Sequence, residues 1–512
     1  MRITNKIIQR NNLSNINTNK IYQDTLSTQM STQKKISRPS DDPVVAIRAL
    51  RLRSSVTEIT QYYSKNIPDA ESWLNVTEDA LKNLSQVVTN MIGQCTKGSN
   101  GDLTSSDREV IIEQLKSLSD EVYVTGDADY AGRYVFTGYR TDTSLSFPEE
   151  TNQNYTITEQ IGVEDLDTTT HVNMGQVLDI TTSNYKNMDV SEEDVKAIEV
   201  HRIRLAYDTC VEGYMPSISF QQKIAGTENF ETITWPGNGV NMEMVHSYDD
   251  PYSKAAADPD ALIYVPETGE VLLGDNRFAT LQAVKDSPTT VKDEGEIRVT
   301  YQKEEWLKGD LRPEHYFYCE SEGIKYNPSY LEEEPKAQII EYDVGFNQTI
   351  QVNSTADQCF RHVIGREVDD LINTMQEVVD LEKVVAELEG LAEKATGDDK
   401  KKIQTQLDAA NKALALSKDK TQRLFESGIT TFQNELDNTN LSLTNVGTSS
   451  SKLALIKSRM QNQKTTFETL KSENEDVDIT EVAIELSSAE LTYEAALMAT
   501  GKVLKNTLLN FI

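Results

Sequence analysis

The chain has 512 residues, a formal net charge of −32 at pH 7 and a pI of about 4.6. It is too long for one ordinary hydrophobic core, so two or more domains are expected. Its acidity argues against a nucleic-acid partner, because a polyanion binds to a concentrated basic face. No apolar run approaches the roughly 20 residues of a membrane span, so we predict no membrane partner.

The cysteines and the first residues narrow the class of protein further. The 4 cysteines lie far apart without a C-x-x-C pair, which argues against a disulfide framework or a zinc ribbon; they are Cys95, Cys210, Cys319 and Cys359. The stretch MRITNKIIQRNNLSNINTNK lacks the uninterrupted apolar core of a secretory signal peptide, so we expect no Sec-type signal.

Residues 1–36 have a polar helical pattern with sparse apolar positions. Asn, Gln, Ser and Thr dominate the segment, and its sparse apolar positions include Ile3, Ile7, Leu13, Ile16, Leu26, Met30 and Ile36. So thin an apolar stripe does not stabilise a helix by itself. We therefore predict a helix that needs a partner.

The stretch KKISRPSDDPVVAIRAL, from Lys34 to Leu50, separates two helical patterns. Asp42 has the position of an N-cap, and Pro43 has that of a proline at the first helical residue. Prolines also disfavour helix in the residue before them. We predict that one helix ends near Ile36 and that the next begins at Pro43.

A clear helical seam follows. Its apolar residues recur on alternating three- and four-residue steps, with Thr77 as the exception, as in a coiled coil. They are Ile67, Ala70, Leu74, Leu81, Leu84, Val88 and Met91. We expect this helix to end near Gly93 and the next to be capped by Ser106 or Asp107. The stretch GRYVFTGYRTDTSLSF then predicts a strand or hairpin.

Residues 148–337 differ in character from the ends of the chain. Short apolar runs alternate with turn sequences such as WPGNGVN and KGDLRPEH, which is typical of an inserted β-rich domain. Within this segment, ALIYVPETGEVLLG predicts two strands joined by a five-residue loop. The pattern also allows a helix near residues 190–206.

Helical patterns return after Arg366. Two charged halves surround a Gly-Asp-Asp turn in residues 380–415, which predicts an antiparallel helical hairpin. The last segment keeps three-four spacing from Ile479 to Val503, and its stripe is widened by Leu497, Leu504, Leu508 and Phe511. Amphipathic helices near both ends of the sequence favour one shared bundle.

The sequence offers no motif for catalysis or cofactor binding. None of the 5 histidines lies in H-E-x-x-H, and neither G-x-x-x-x-G-K-[ST] nor G-x-G-x-x-G occurs. Cys359 and His362 are close enough to share a metal, but without a second pair nearby we interpret them as a buried thiol and a surface imidazole. We predict a protein that is not an enzyme, with no cofactor and no metal site.

A basic cluster stands out in the acidic chain: Arg38, Arg48, Arg51 and Arg53. One interpretation is ordinary charge on a helix surface. The other is ion pairing with an acidic neighbouring subunit. The sequence leaves both open.

Several stretches resemble the bacterial flagellin superfamily. MRITN at the start, KKISRPSDDPVVAIRALRLR at 34–53 and YAGRYVFTGYRTDT at 130–143 are similar to it, and so are GFNQTIQVN and AELTYEAALMATGKVLKNTLLNFI in the C-terminal half. RPSDDPV and LLNFI favour the proteins that join hook and filament over filament flagellins. The resemblance covers roughly residues 1–145 and 340–512. The family usually has a small residue and a glycine where this chain has Thr32 and Gln33.

The resemblance implies a fold that is mainly α with an inserted β-rich domain. The N- and C-terminal helices would pair into coiled-coil and helical-bundle layers. The inner domain would comprise 1–40 and 460–512. The bundle domain would comprise 41–147 and 338–459, with a β-hairpin and an extra helical hairpin near 380–415, and the outer domain would be 148–337.

The resemblance also implies a structural role at the junction between hook and filament of the bacterial flagellum, outside the cell after type III export. The implied partners are further copies in a ring, a neighbouring hook-associated protein, flagellin subunits and an export chaperone. The assembly residues would be Arg38, Pro39, Ser40, Asp41, Asp42, Pro43, Leu497, Leu504, Leu508 and Phe511.

Two alternatives stay open. A filament flagellin with a large outer domain would polymerise by itself into long filaments. A surface adhesin or an enzyme activity carried by residues 148–337 is of another class, and a carbohydrate or metal bound there would favour it, because β domains host many sites that leave no local motif.

Overall fold

The computed structural model describes residues 5–101, 103–223, 230–237, 239–286, 296–332 and 337–505. Its α-helices are α1 (Asn5–Thr32), α2 (Pro43–Gln61), α3 (Ile67–Gly98), α4 (Ser105–Gly126), α5 (Pro251–Ala257), α6 (Asp275–Gln282), α7 (Ala356–Cys359), α8 (His362–Lys394), α9 (Asp398–Glu475) and α10 (Ile479–Lys505). A π-helical turn, Tyr62–Asn66, connects α2 to α3.

The strands lie almost entirely in the middle of the chain. They are β1 (Asp129–Tyr130), β2 (Arg133–Tyr134), β3 (Thr151–Ile161), β4 (Asp167–Asn173), β5 (Lys196–Arg204), β6 (Ser217–Lys223), β7 (Phe230–Trp235), β8 (Glu243–Met244), β9 (Leu262–Val265), β10 (Glu270–Leu273), β11 (Ile297–Trp306), β12 (Tyr318–Ser321), β13 (Ile324–Tyr326), β14 (Glu341–Gly345) and β15 (Gln348–Gln351).

These strands form two larger sheets and two small hairpins. A six-stranded sheet has the order β13-β12-β3-β11-β6-β7, and a five-stranded sheet has the order β4-β5-β10-β9-β8. Neighbouring strands are antiparallel apart from the parallel pair β8 and β9. The helices before and after this region and the sheets within it confirm the predicted fold class, mainly α with an inserted β-rich domain.

Contacts divide the chain into two discontinuous units. The first unit contains Met1–Glu71, Tyr342–Ile350 and Ser451–Ile512. The second contains Ser72–Glu341 and Gln351–Ser450. The first unit includes α1, α2, α10 and most of the β14–β15 hairpin, and the second includes both larger sheets.

The predicted seam of α3 is confirmed, since each of its apolar residues is buried. Thr77, the exception in the pattern, is also buried, and its hydroxyl donates to the carbonyl of Trp73 at 2.9 Å. This local bond satisfies the hydroxyl, so a polar side chain fits the apolar stripe. The helix continues beyond Gly93 to Gly98, because a single glycine in a well-packed helix does not end it.

The start of α4 differs from the prediction. Thr104, rather than Ser106 or Asp107, is the N-cap, and its side chain accepts a hydrogen bond from the amide of Asp107. The Asp107 carboxylate accepts one from the amide of Thr104 in return. Asp107 therefore takes part in the cap as its reciprocal partner, in a capping box.

The predicted helical hairpin is confirmed, with α8 ending at Lys394 and α9 beginning at Asp398. Its apolar side chains share one buried cluster with a segment of the β-rich region. The cluster includes Val172, Val177, Ile180, Val190, Val195, Leu381, Val385, Leu388, Ile403, Leu407 and Ala410. The hairpin thus supplies apolar surface against which residues 172–195 fold.

Two predictions in the β-rich segment need correction. The expectation of a possible helix near residues 190–206 is wrong, since Lys196–Arg204 is the strand β5. In ALIYVPETGEVLLG the two strands, β9 and β10, are confirmed, but the loop between Val265 and Glu270 has four residues. The strand β5 is set by pairing with β4 on one side and β10 on the other, and spacing within the segment does not report these partners.

A buried ion network connects β5 to α8. The Arg202 guanidinium donates to Asp167 at 2.7 Å and to Asp370 at 2.8 Å, and it also binds Glu270. Arg202 is 5% exposed and Glu270 is 3% exposed. Arg204 lies two residues along the strand and binds Asp370 at 2.7 Å. The buried charges of Arg202 and Glu270 are therefore compensated at a place where water screens them little.

Stability should fall as the pH rises from about 5 to about 8 because of Glu159, a buried residue of β3. Its carboxyl accepts hydrogen bonds from Tyr301 and from the amide of Ala206, and burial raises its pKa from 4.5 to about 7. A raised pKa stabilises the fold below the ordinary value, and this contribution is lost as the pH rises through about 7. The unfolding free energy should fall between pH 5 and pH 8, and Glu159→Gln should make this fall smaller by on the order of 1 kcal/mol.

Denaturant unfolding at both pH values checks this expectation. Glu199→Gln, at an exposed position of β5, is the matched control and should leave the pH dependence unchanged. If Glu159→Gln and Glu199→Gln show the same dependence as the unchanged chain, Glu159 is not a source of it.

Candidate assembly surface

The connection between α1 and α2 is bound to the end of α9. The helix α1 ends at Thr32, and Gln33 follows with φ of +58°, a left-handed backbone conformation. The amide of Lys35 donates to the carbonyl of Glu475 at 2.7 Å, and the amide of Val477 donates to the carbonyl of Gln33 at 3.2 Å. The helix therefore ends earlier than the predicted Ile36, because the backbone turns to form these bonds.

Charged side chains reinforce the same contact. Arg53 of α2 donates to both carboxylate oxygens of Glu475 at 2.6 and 2.7 Å, and Lys34 binds Asp476. The hydrogen bond from Arg53 lowers the pKa of Glu475, and the one from Lys34 lowers the pKa of Asp476. The stability from both pairs is present above the ordinary carboxyl pKa and is lost as the pH falls through the lowered values.

Asp42 caps α2 as predicted. Its Oδ1 accepts hydrogen bonds from the amides of Val44 and Val45 at 2.9 and 3.1 Å, and Pro43 is the first helical residue. These bonds satisfy two of the amides that a helix leaves unpaired at its N-terminus. The cap fixes where α2 begins and the direction in which it leaves the turn.

Asp41 organises the residues before the cap. Its Oδ2 accepts hydrogen bonds from the amides of Ser37 and Arg38 at 3.1 and 2.8 Å. Arg38, Pro39, Ser40 and Asp41 are all exposed. The backbone of this turn is thus ordered by local bonds while its side chains face solvent.

The basic cluster separates into two kinds of residue. Arg53 binds Glu475 of the same chain, so a neighbouring subunit is not needed to explain it. Arg38, Arg48 and Arg51 are exposed, and the structure shows no ion pair for them with any described residue.

Helices α1 and α10 pack against each other. Leu26, Val482 and Ala489 form a small buried cluster, against which Leu486 packs. The hydroxyl of Tyr22 donates to Glu485 at 3.1 Å. The predicted pairing of the two terminal segments is therefore present within one chain.

A second apolar stripe on α10 is exposed. Ile484, Leu491 and Met498 follow one another at seven-residue steps, which places them on one helix face, and their exposed fractions are 66%, 68% and 67%. This face lies opposite the one that carries Val482 and Ala489. On α1, Ile7, Leu13 and Ile21 are also exposed.

The predicted contact residues of the last helix fall into three groups. Leu497 is on α10 and is 46% exposed. For Leu504 the structure describes only the helical backbone, and Leu508 and Phe511 lie outside the described residues.

Sequence reasoning missed Glu475 and Asp476, which hold the turn. The available signal was charge complementarity between Lys34-Lys35 and this acidic pair, each next to a break between helices. The prediction that His362 is a surface imidazole is also wrong. Its ring lies among Tyr207, Tyr316 and Phe317, and burial lowers its pKa to about 3.

Gln33 provides a local test of the turn. A non-glycine residue with φ of +58° is strained, so Gln33→Gly should stabilise the turn by about 1 kcal/mol. Hydrogen exchange at the amide of Lys35, which bonds to Glu475, should slow accordingly. Gln33→Ala is the control for loss of the side chain and should not slow it. Faster exchange in Gln33→Gly would contradict this account of the turn.

Within the described residues, no helix combines the length and hydropathy that crossing a bilayer requires. Comparison with known proteins gives a family match at the N-terminal side. The model of the bacterial flagellin N-terminal helical region matches residues 3–141. This range includes the turn and its cap.

Two curated relatives with similar sequences have the same name, flagellar hook-associated protein 3. Flagellar hook-associated protein 3 of Escherichia coli is 26% identical over 202 residues, which are 39% of this chain and 63% of the relative. That of Salmonella typhimurium is 28% identical over 145 residues, 28% of this chain and 45% of the relative. The chain thus spans less than two thirds of the length of either relative.

A solved structure of FlgL from Xanthomonas campestris aligns with 81% of this chain and 99% of its own, at 12% identity and a TM-score of 0.28, a likeness too weak to support an argument. The sequence matches carry the conclusion instead. Residues 3–141 match the model of the bacterial flagellin N-terminal helical region, and parts of the chain are similar to flagellar hook-associated protein 3 of two bacteria.

Proposed function

We propose that this chain is a structural component of the bacterial flagellum that joins hook and filament. The observation that carries the proposal is the exposed stripe of Ile484, Leu491 and Met498 on a helix whose other face already packs against α1. The two sequence relatives named for the hook support the same role.

Physical chemistry supports an assembly role for this stripe. Scattered exposed apolar residues are ordinary, but a regular seven-residue row of large ones is the pattern by which helices recognise other helices. Covering such a row removes apolar area from water at roughly 25 cal/mol per Å². The stripe therefore gives a helical partner a favourable place to bind.

The ordered turn has a matching role in the proposal. Arg38, Pro39, Ser40 and Asp41 present exposed side chains on a backbone that is held by Asp41 and by the contact with Glu475. A rigid exposed turn loses little conformational entropy when a neighbour binds it. With Asp42 and Pro43 it would contact adjacent subunits, as would Leu497, Leu504, Leu508 and Phe511.

The proposed partners are further copies in a ring, a neighbouring hook-associated protein and flagellin, with an export chaperone before assembly. The proposed location is the flagellum outside the cell, reached by type III export. We propose no catalytic activity. Residues 1–40 with 460–512 would be the inner domain, 41–147 with 338–459 the bundle domain, and 148–337 the outer domain.

Electron microscopy of a strain that lacks this chain tests the proposal. We expect intact hooks without filaments, together with flagellin monomers in the medium, because the filament would have nothing to attach to. Intact hooks without secreted flagellin would indicate a filament flagellin. Normal filaments would contradict a structural role and favour an activity in residues 148–337.

A further inference from the structure

Three side chains from separate segments of the β-rich region meet at its surface. Glu212 follows β5 in the chain, His246 follows β8, and Glu267 lies in the turn between β9 and β10. One potential ligand atom from each lies within 4.8 Å of the other two. It is the one such group of His, Cys, Asp or Glu found in the part of the chain that the structure describes.

Backbone hydrogen bonds hold the segments together. The amides of Thr209 and Cys210 donate to the carbonyls of Glu267 and Pro266 at 3.1 and 2.9 Å, so the loop that leads to Glu212 is bound to the β9–β10 turn. The turn itself needs Gly269, because its φ is +62° and a Cβ there would lie 1.9 Å from the carbonyl oxygen of Tyr207. The segments that carry Glu212 and Glu267 are therefore held side by side by the fold.

The His246 ring is fixed from two sides. Its Nδ1 lies 2.5 Å from Oε1 of Glu267, and its plane stacks on Tyr248 with an interplanar angle of 5°. Oε2 of Glu267 is 3.4 Å from the amide of Ser247. An imidazole whose ring is held by a carboxylate and a neighbouring ring loses little freedom when it binds an ion.

We infer that Glu212, His246 and Glu267 form a binding site for a divalent transition-metal ion, for which zinc is the suited ion. One imidazole nitrogen and carboxylate oxygens are donors that zinc accepts at about 2.0–2.2 Å. Glu212 is exposed, so its side chain can rotate to close the remaining distance. Water would fill the open coordination positions, and the ion would link three chain segments.

The simpler reading is an ion pair between His246 and Glu267 alone. Glu212 distinguishes the two interpretations. The ion pair does not involve Glu212, whereas a metal site without Glu212 loses one of its three protein ligands. Glu212→Gln leaves the contact between His246 and Glu267 in place. It also changes an exposed side chain, so the variant should fold.

Titration calorimetry of the purified full chain with zinc chloride tests the site. We expect one zinc ion per chain, and we expect Glu212→Gln and His246→Asn each to weaken binding by at least about tenfold, the loss common even for residues that only orient a ligand. His201→Asn is the matched control, because among the described residues His201 pairs with one carboxylate, that of Asp275 at 3.4 Å. The double variant Cys359→Ala, His362→Ala is a second control. Neither control should change the affinity for zinc.

Thermal unfolding gives a second readout. Zinc should raise the midpoint of the unchanged chain and of both controls, because an ion that binds only the folded state stabilises it. It should raise that of Glu212→Gln much less. Absence of zinc binding by the unchanged chain, or equal affinity in Glu212→Gln and the unchanged chain, would show that His246 and Glu267 form an ion pair only.

Discussion

In cells that produce only the Leu491→Asp chain, hooks should carry no attached filaments. Leu491 is 68% exposed in the single chain, in the middle of the stripe proposed to contact a neighbour. An aspartate there would place an unpaired charge in an apolar interface, at a cost of several kcal/mol in each copy. A ring repeats this cost at every subunit, so assembly should be abolished.

The same substitution should hardly change the isolated chain. An exposed leucine contributes little to folding, so the unfolding free energy should stay within about 0.5 kcal/mol of its original value. Thr492→Asp is the control, because it adds the same charge at an exposed position of α10 that lies about 100° around the helix from Leu491. Attached filaments in Leu491→Asp cells, or a large loss of stability in the isolated chain, would contradict the assembly role.

The second large effect is expected for Arg202→Leu. The change leaves the buried Glu270 without its guanidinium partner and leaves Asp370 with Arg204 in place of two guanidinium groups. Breaking one side of a buried ion network costs about 3–5 kcal/mol. Denaturant unfolding should show this loss at pH 8. The loss should be smaller at pH 5, because an orphaned buried carboxyl can then take up a proton.

Arg423→Leu provides the comparison for this network. Arg423 is 69% exposed and pairs with Asp419 one helical turn away, at 2.9 Å. Removing such a pair should change the unfolding free energy by less than about 1 kcal/mol. Equal effects of the two substitutions would mean that the network around Arg202 is not a source of stability.

The features that the sequence predicted correctly depend on near neighbours in the chain. The seam of α3, the cap at Asp42 and the turn between Lys394 and Asp398 each follow from residues a few positions apart. Helical spacing and capping chemistry are local, so a single sequence reports them.

The features that the sequence missed depend on distant residues. Strand β5 was mistaken for a possible helix because its partners β4 and β10 lie on either side in the sheet, and spacing within 196–204 does not reveal them. Glu475 meets the turn after α1 from the far end of α9. The group of Glu212, His246 and Glu267 likewise exists only once three segments have folded together.

The position of the chain in the flagellum is the most direct test of its proposed role. Immunogold labelling of intact flagella, with an antibody against residues 148–337, measures that position by electron microscopy. We expect gold in one narrow band where hook and filament meet. Gold along the whole filament, or gold absent from the junction, would contradict it.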